Sequence, residues 1–328
     1  MFMVVLSHYY CQSGFPDDGI FSFNELIMLF LASGGKIAVD IFVIISGYFL
    51  VKQKFSWRKI LKFFSCTYFW SIAVLLFATT TFGFSSISPA LLKKSLIPLT
   101  PVNWFARAYL HLYLIFPLLN KLLFKYDRKI IRYIIGLLTA IFFVIPTIKN
   151  IALGGYLSSL FMFANFYLIG AYIRLYSNES LEKASIYGGF LGIFIIYAST
   201  IFFIITDGSK ETIMSYSSSG ANLFVLMVAI GMFVFFKNIN IRYRPIINGV
   251  AATTFAVYLI HDNDLIKNWL WHDVVGSVGY YHSPYLILHM LLSAICIFAV
   301  CSLLDFLRIR FIEPYIMALA NKHDCQHK

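Results

Sequence analysis

Ionisable side chains stand at four places in or beside strongly apolar runs: His8, Asp40, Arg107 with His111, and His261 with Asp262. A charged group is costly inside hydrocarbon, so such residues are functional candidates by default. Histidine titrates near neutrality and can take a proton and pass it on. A carboxylate can orient an imidazole or stabilise its charged form, and a second imidazole or a guanidinium can donate to a developing negative charge. The chemistry these types can do together is general acid–base catalysis. Arg107 and His111 are four apart and share one face of a helix.

Each candidate also has a structural explanation. His8 beside Tyr9 and Tyr10 equally fits an interfacial aromatic belt. Asp40 follows Gly34-Gly35-Lys36 and fits a buried structural role paired with Lys36. Arg107 and His111 fit a helix-end anchor and a hydrogen-bonded histidine. His289 is expected to make an inter-helix hydrogen bond, and His272 and His282 to be solvated in a loop. Gly34, Gly35 and Gly47 suit close helix contacts, and Pro117 and Pro146 suit kinks. The 5 cysteines are scattered, with no CxxC, so neither a disulfide framework nor a zinc site is indicated. The tail His323-Asp324-Cys325-Gln326-His327 is read as solvated rather than metal-binding, and no metal is expected.

The elements that must position these groups are read from the apolar runs. Hydrophobic residues make up 60% of the 328-residue chain and charged residues only 12%, against about 25% charged in soluble domains. A spanning helix needs about 20 mostly apolar residues, and such runs recur from end to end. Barrel strands would alternate apolar and polar instead. The expectation is an all-α integral membrane protein, a polytopic bundle of about ten transmembrane helices forming one transmembrane domain over 1–328. The spans fall near 1–10, 35–51, 60–83, 104–123, 131–148, 157–175, 187–206, 220–236, 247–262 and 284–304. Asn24–Ser33 is expected to lie at the interface ahead of the second span.

Most of the 26 cations fall in alternate loops, around Arg58, Lys125, Lys183, Arg242 and the tail. The positive-inside rule places that side, with both termini, in the cytoplasm. A loop around Asp17 then lies outside, and His8, Asp40, Arg107 with His111, and His261 all come to the outer ends of their spans. The inner ends are read as ordinary basic anchors. Despite a net charge of +11, no basic run with interleaved aromatics suggests nucleic acid. The first span is too short to cross and is not a signal peptide, so the chain is expected to start late, its first helix truncated.

Four stretches resemble the motifs of acyltransferase family 3. Val4-Val-Leu-Ser-His8-Tyr is similar to the family's first-helix histidine motif. Gly35-Lys-Ile-Ala-Val-Asp40 through Ser46-Gly-Tyr-Phe-Leu50 is similar to its second-helix signature. Asn103-Trp-Phe-Ala-Arg-Ala-Tyr-Leu-His111 through Pro117-Leu-Leu-Asn120 resembles its tryptophan-to-proline helix, and Tyr258-Leu-Ile-His261-Asp-Asn its late histidine motif. Order and spacing agree over nearly the whole chain. The resemblance implies ten helices, a bacterial inner membrane, and transfer of an acyl group, usually acetyl from acetyl-CoA, to hydroxyls of surface polysaccharides or their lipid-linked precursors. It maps the essential histidine onto His8, the glycine–aspartate pattern onto Gly35 and Asp40, and the late histidine onto His261. The family pattern also has an arginine and an acid before the first histidine, where this chain has nothing. It has smaller or neutral residues at 107 and 111, so no family role is carried onto those two.

On this reading His8 is the general base, Asp40 orients it, and His261 or Arg107 donates to the oxyanion. Trp104, Arg107, His111 and Asn263 are placed at the substrate. No G-x-S-x-G elbow appears, which speaks against a hydrolase-type acyl-enzyme. The partners expected are the lipid bilayer, acetyl-CoA as co-substrate and a glycan acceptor. The main rival is a transporter or flippase of a lipid-linked sugar, for which two related halves with broken helices would be expected. A polysaccharide polymerase would call for a long outer loop.

Overall fold

The computed structural model describes residues 1–16, 22–97, 103–149, 155–206, 210–217 and 219–318. The loop around Asp17 and the tail 323–327 lie outside the described residues. Among those described, all regular structure is helical. In chain order the helices are α1 (Phe2–Cys11), α2 (Phe23–Leu50), α3 (Trp57–Phe82), α4 (Pro89–Leu96), α5 (Trp104–Lys125) and α6 (Arg128–Lys149). They continue with α7 (Tyr156–Tyr176), α8 (Glu179–Ile205), α9 (Lys210–Ser217), α10 (Leu223–Asn238), α11 (Pro245–His261) and α12 (Leu286–Phe311).

Each expected span coincides with a helix, but fewer are long and apolar enough to cross. Six qualify among the described residues: α2, α3, α6, α7, α8 and α12. Helices α1, α10 and α11 are apolar but shorter, at 10, 16 and 17 residues. At 1.5 Å per residue these fall short of a hydrocarbon core about 30 Å thick. Helix α5 has the length but carries Arg107, His111, Asn120 and Lys121. Large apolar side chains such as Phe190, Phe194 and Ile205 on α8, and Leu292, Ile295 and Leu303 on α12, are more than half exposed. A membrane protein presents such faces to lipid, where they need no cover.

The separate interfacial stretch expected at Asn24–Ser33 is instead the first part of α2, which runs 28 residues without a break. Ser22 caps it by accepting the Glu25 N–H at 3.2 Å. Gly34 and Gly35 do not interrupt it. A glycine in a helix costs about 1 kcal/mol, whereas backbone groups left unsatisfied in lipid cost several kcal/mol each. In α6, Pro146 has no N–H to offer the carbonyl one turn before it. The backbone widens there into a π-turn over Ala140–Val144, with the Ile145 N–H reaching Ala140 O.

The helices gather into two compact units. Unit 1 holds α1, α3, α4, the start of α5 to Arg107, α11 and α12; unit 2 holds α2, the rest of α5, and α6 to α10.

In unit 1, α12 packs on α11 and α1, and α11 packs on α3. One end of the α3–α12 contact is polar. Asp305 accepts from Trp70 Nε1 at 2.8 Å and from Arg308 Nε at 2.5 Å. Arg308 Nη1 reaches Glu313 at 3.0 Å, and Lys62 pairs with Glu313 at 2.6 Å. Arg308 is 3% exposed. The expectation of ordinary basic anchors at this end is therefore corrected for Arg308, while Lys62 stays 58% exposed and meets Glu313 from the surface. Two carboxylates and two cations neutralise each other, and that is how buried charge is tolerated.

In unit 2, α2 and α7 approach closely enough that a Cβ on Gly47 would stand 2.1 Å from Tyr167 O, and one on Gly170 would stand 2.0 Å from Ile44 O. Gly189 and Gly231 allow the same between α8 and α10. Without a hydrophobic force between helices in lipid, contact of this kind is a main source of association.

Candidate active site

In unit 1, α1 and α11 bring two histidines together. His8 Nδ1 lies 3.0 Å from His261 Nε2, with ring centroids 5.1 Å apart. His8 is in the last turn of α1, and His261 ends α11. The chain can stop there because Asp262 leaves helical geometry and Asn263 Oδ1 accepts the Leu265 N–H at 3.0 Å, turning the backbone. His261 is fully buried; His8 keeps 17% of its side chain exposed.

The hydrogen bonds fix which nitrogen holds each proton. His261 Nδ1 faces the Val257 carbonyl at 2.5 Å, and a carbonyl can only accept. That nitrogen therefore carries the hydrogen, and in the neutral ring Nε2 is the acceptor. His8 must then donate from Nδ1, which leaves the lone pair of neutral His8 on Nε2. This is the tautomer a proton acceptor needs. Two protonated rings in this contact would set donor against donor and like charge against like charge.

Asp262 supplies the compensating charge. Its Oδ1 lies 3.5 Å from His8 Nδ1 and accepts from Gln12 Nε2 at 3.4 Å. Gln12 is one turn beyond His8, on the same face. Asn103 Nδ2 donates to the Asp262 backbone carbonyl at 3.2 Å, tying the start of α5 to the end of α11. The Tyr258 hydroxyl faces the same carboxyl, and Phe105 packs edge-on against the Tyr258 ring.

A second layer holds the pair from behind. Trp271 is fully buried, with its ring edge-on to both His261 and Tyr9. The Tyr9 hydroxyl and His289 Nδ1 are 2.8 Å apart, joining α1 to α12, while Tyr280 stacks on the His289 ring at 3.8 Å. His289 thus makes the inter-helix hydrogen bond expected of it. His272 and His282 are exposed.

The other expected site residues are placed as follows. Asp40 lies in unit 2, 2% exposed, with Lys36 one turn earlier as its charged neighbour. In unit 1 the carboxylate beside His8 is that of Asp262. Trp104 is 41% exposed and edge-on to Phe105. Arg107 and His111 are half-buried, and α5 passes from unit 1 to unit 2 between them. Asn263 is buried and serves the turn after His261. Gln12, Asn103 and Tyr258 were not among the expected site residues, and Asp262 was singled out beside His261 without a role. For Gln12 and Asp262 a signal existed, since one is a turn from His8 and the other is next to His261. Among the described residues no group of three or more His, Cys, Asp or Glu side chains could hold a metal ion.

A family model described as an acyltransferase domain matches residues 1–306 of the chain. No curated protein and no solved structure gives a match.

Proposed function

Since the chain belongs to acyltransferase family 3, we propose that it is a membrane O-acetyltransferase, moving acetyl from acetyl-CoA to a hydroxyl of a surface polysaccharide or its lipid-linked precursor. The observation that carries the reading is the relay Val257 O, His261, His8, with Asp262 beside it. A sugar hydroxyl is a poor nucleophile until a base removes its proton. In this reading His8 Nε2 takes that proton as the hydroxyl oxygen bonds to the thioester carbon. The tetrahedral intermediate then collapses with cleavage of the carbon–sulfur bond, and His8 returns the proton to the departing thiolate. A positioned base of this kind contributes about 10²–10⁴-fold.

Asp262 stabilises the imidazolium formed midway, and His261 holds the ring in the tautomer that presents Nε2. Both ring nitrogens of His261 are engaged, so it is poorly placed to donate to the oxyanion as well; Arg107 remains the candidate for that role. Asp40, Trp104, His111 and Asn263 remain proposed site residues. The proposed setting is a bacterial cytoplasmic membrane with both termini inside. The transporter reading is not favoured, because the family is one of acyltransferases. Mass analysis of the surface polysaccharide with and without this gene tests the proposal. Loss of an acetyl increment on deletion is the expected result, and an unchanged acetyl content overturns it.

A further inference from the structure

Unit 2 contains a cavity of about 890 Å³ between the segment that follows α2 and one face of α5. Its cations are Lys52 and Lys54 from the segment, and Lys121 and Lys125 from successive turns of the helix. Among the described residues no acidic side chain lines it. The floor is built and held. Asn120 Nδ2 donates to Leu50 O at 3.2 Å and Val51 O at 3.4 Å, and the Tyr167 hydroxyl donates to Asn120 Oδ1 at 2.7 Å. Phe55 packs against Tyr113 and Phe116, while Phe124, also in the lining, is 65% exposed.

We infer that this cavity binds a phosphate-bearing anion with a flat aromatic part, and that in this protein the anion is the nucleotide end of the acyl-CoA donor. Four lysines line one cavity with no carboxylate among its lining residues, and a polyanion bound there would be matched by all of them. Ammonium groups are point charges suited to phosphates, and an exposed aromatic ring gives a base a surface to stack on. A volume of this size lies within the range of about 300–1,000 Å³ usual for ligand sites and far exceeds one phosphate. The lysines belong to the basic loops that the charge bias assigns to the cytoplasm, where acyl-CoA is found. The inference rests on the donor named under Proposed function. The same phosphate chemistry could be offered by an anionic lipid headgroup, so the test separates the two sources.

Binding of coenzyme A and of adenosine 3′,5′-bisphosphate to the full chain is measured by calorimetry in neutral detergent. The measurement is repeated in phosphatidylcholine nanodiscs with and without phosphatidylglycerol. The wild type should bind both nucleotides in either nanodisc. Lys121→Gln with Lys125→Gln should weaken both by about 10–100-fold, Lys121→Arg with Lys125→Arg should keep most of the affinity, and Lys93→Gln with Lys94→Gln should leave it unchanged. If the wild type binds coenzyme A and the double glutamine variant binds it equally, the cavity is not the site, though the donor reading stands. If the wild type binds no coenzyme A, the donor reading falls too. If phosphatidylglycerol abolishes nucleotide binding and copurifies with the wild type but not with the glutamine variant, the occupant is a lipid headgroup and the inference is wrong.

Discussion

Replacing Asp262 by asparagine removes a charge and keeps the shape. The Oδ1 acceptor for Gln12 survives, and the Asn103 contact is to the backbone carbonyl, so the turn after α11 is retained. What is lost is the attraction between the carboxylate and a protonated His8. At 3.5 Å and an effective dielectric constant of about 20, that attraction is about 5 kcal/mol before screening. His8 and Asp262 keep 17% and 11% of their side chains exposed, so solvent and the Gln12 dipole offset part of it. A net loss of about 1.4–2.7 kcal/mol corresponds to a fall in kcat of about 10–100-fold. The charge develops on the imidazole only as the hydroxyl proton moves, so KM for acetyl-CoA should change little. Transfer of radiolabelled acetyl from acetyl-CoA to acceptor, measured with purified protein over a range of donor concentrations, gives both constants. A variant with kcat within about twofold of wild type would refute the role of Asp262, and a rise in KM alone would make it a binding residue.

Three further outcomes follow from the packing. His289→Ala loses the bond to Tyr9 and should cost about 0.6 kcal/mol of stability, with most acetyl transfer retained; a loss as deep as that of the Asp262 variant would bring His289 into the chemistry. Gly47→Ala drives a Cβ to 2.1 Å from a backbone oxygen of α7 and should lower the detergent-state melting temperature by an amount equivalent to about 1–3 kcal/mol, whereas Gly136→Ala meets nothing within 4 Å and should be neutral or stabilising; equal melting of the two variants would contradict the close approach of α2 and α7. Arg308→Leu leaves Asp305 without its cation and should destabilise unit 1 by about 3–5 kcal/mol, which size-exclusion after heating reads as aggregation. Survival like that of the wild type would show that Lys62 and Trp70 suffice to hold the carboxylates.

The positions of the helices were legible because apolar runs of spanning length leave few alternatives. Helix ends were less so. The stretch expected at the interface and the span expected from residue 35 are one helix, because lipid penalises an open backbone more than Gly34 and Gly35 penalise a helix. Short α4 was hidden, since Ser88 and Pro89 as cap and first residue are visible only once a helix is suspected there. Charge in a sequence shows sign but not partner. Arg308 therefore reads like its exposed neighbours, and only the fold reveals Asp305 and Glu313 beside it. For the site, His8 and His261 could be singled out by type and by the ends of the spans they occupy. Their tautomers could not, because these depend on the Val257 carbonyl and the 3.0 Å contact. Asp262 was in plain view beside His261, but only the 3.5 Å approach to His8 shows which group it serves.

The central claim is that His8 accepts the acceptor's proton, and His8→Ala in the purified full chain tests it most directly. Acetyl transfer from acetyl-CoA should fall by about 10²–10⁴-fold, while protein level, membrane insertion and coenzyme A affinity stay those of the wild type. Transfer at the wild-type rate by a normally inserted His8→Ala protein would contradict the account.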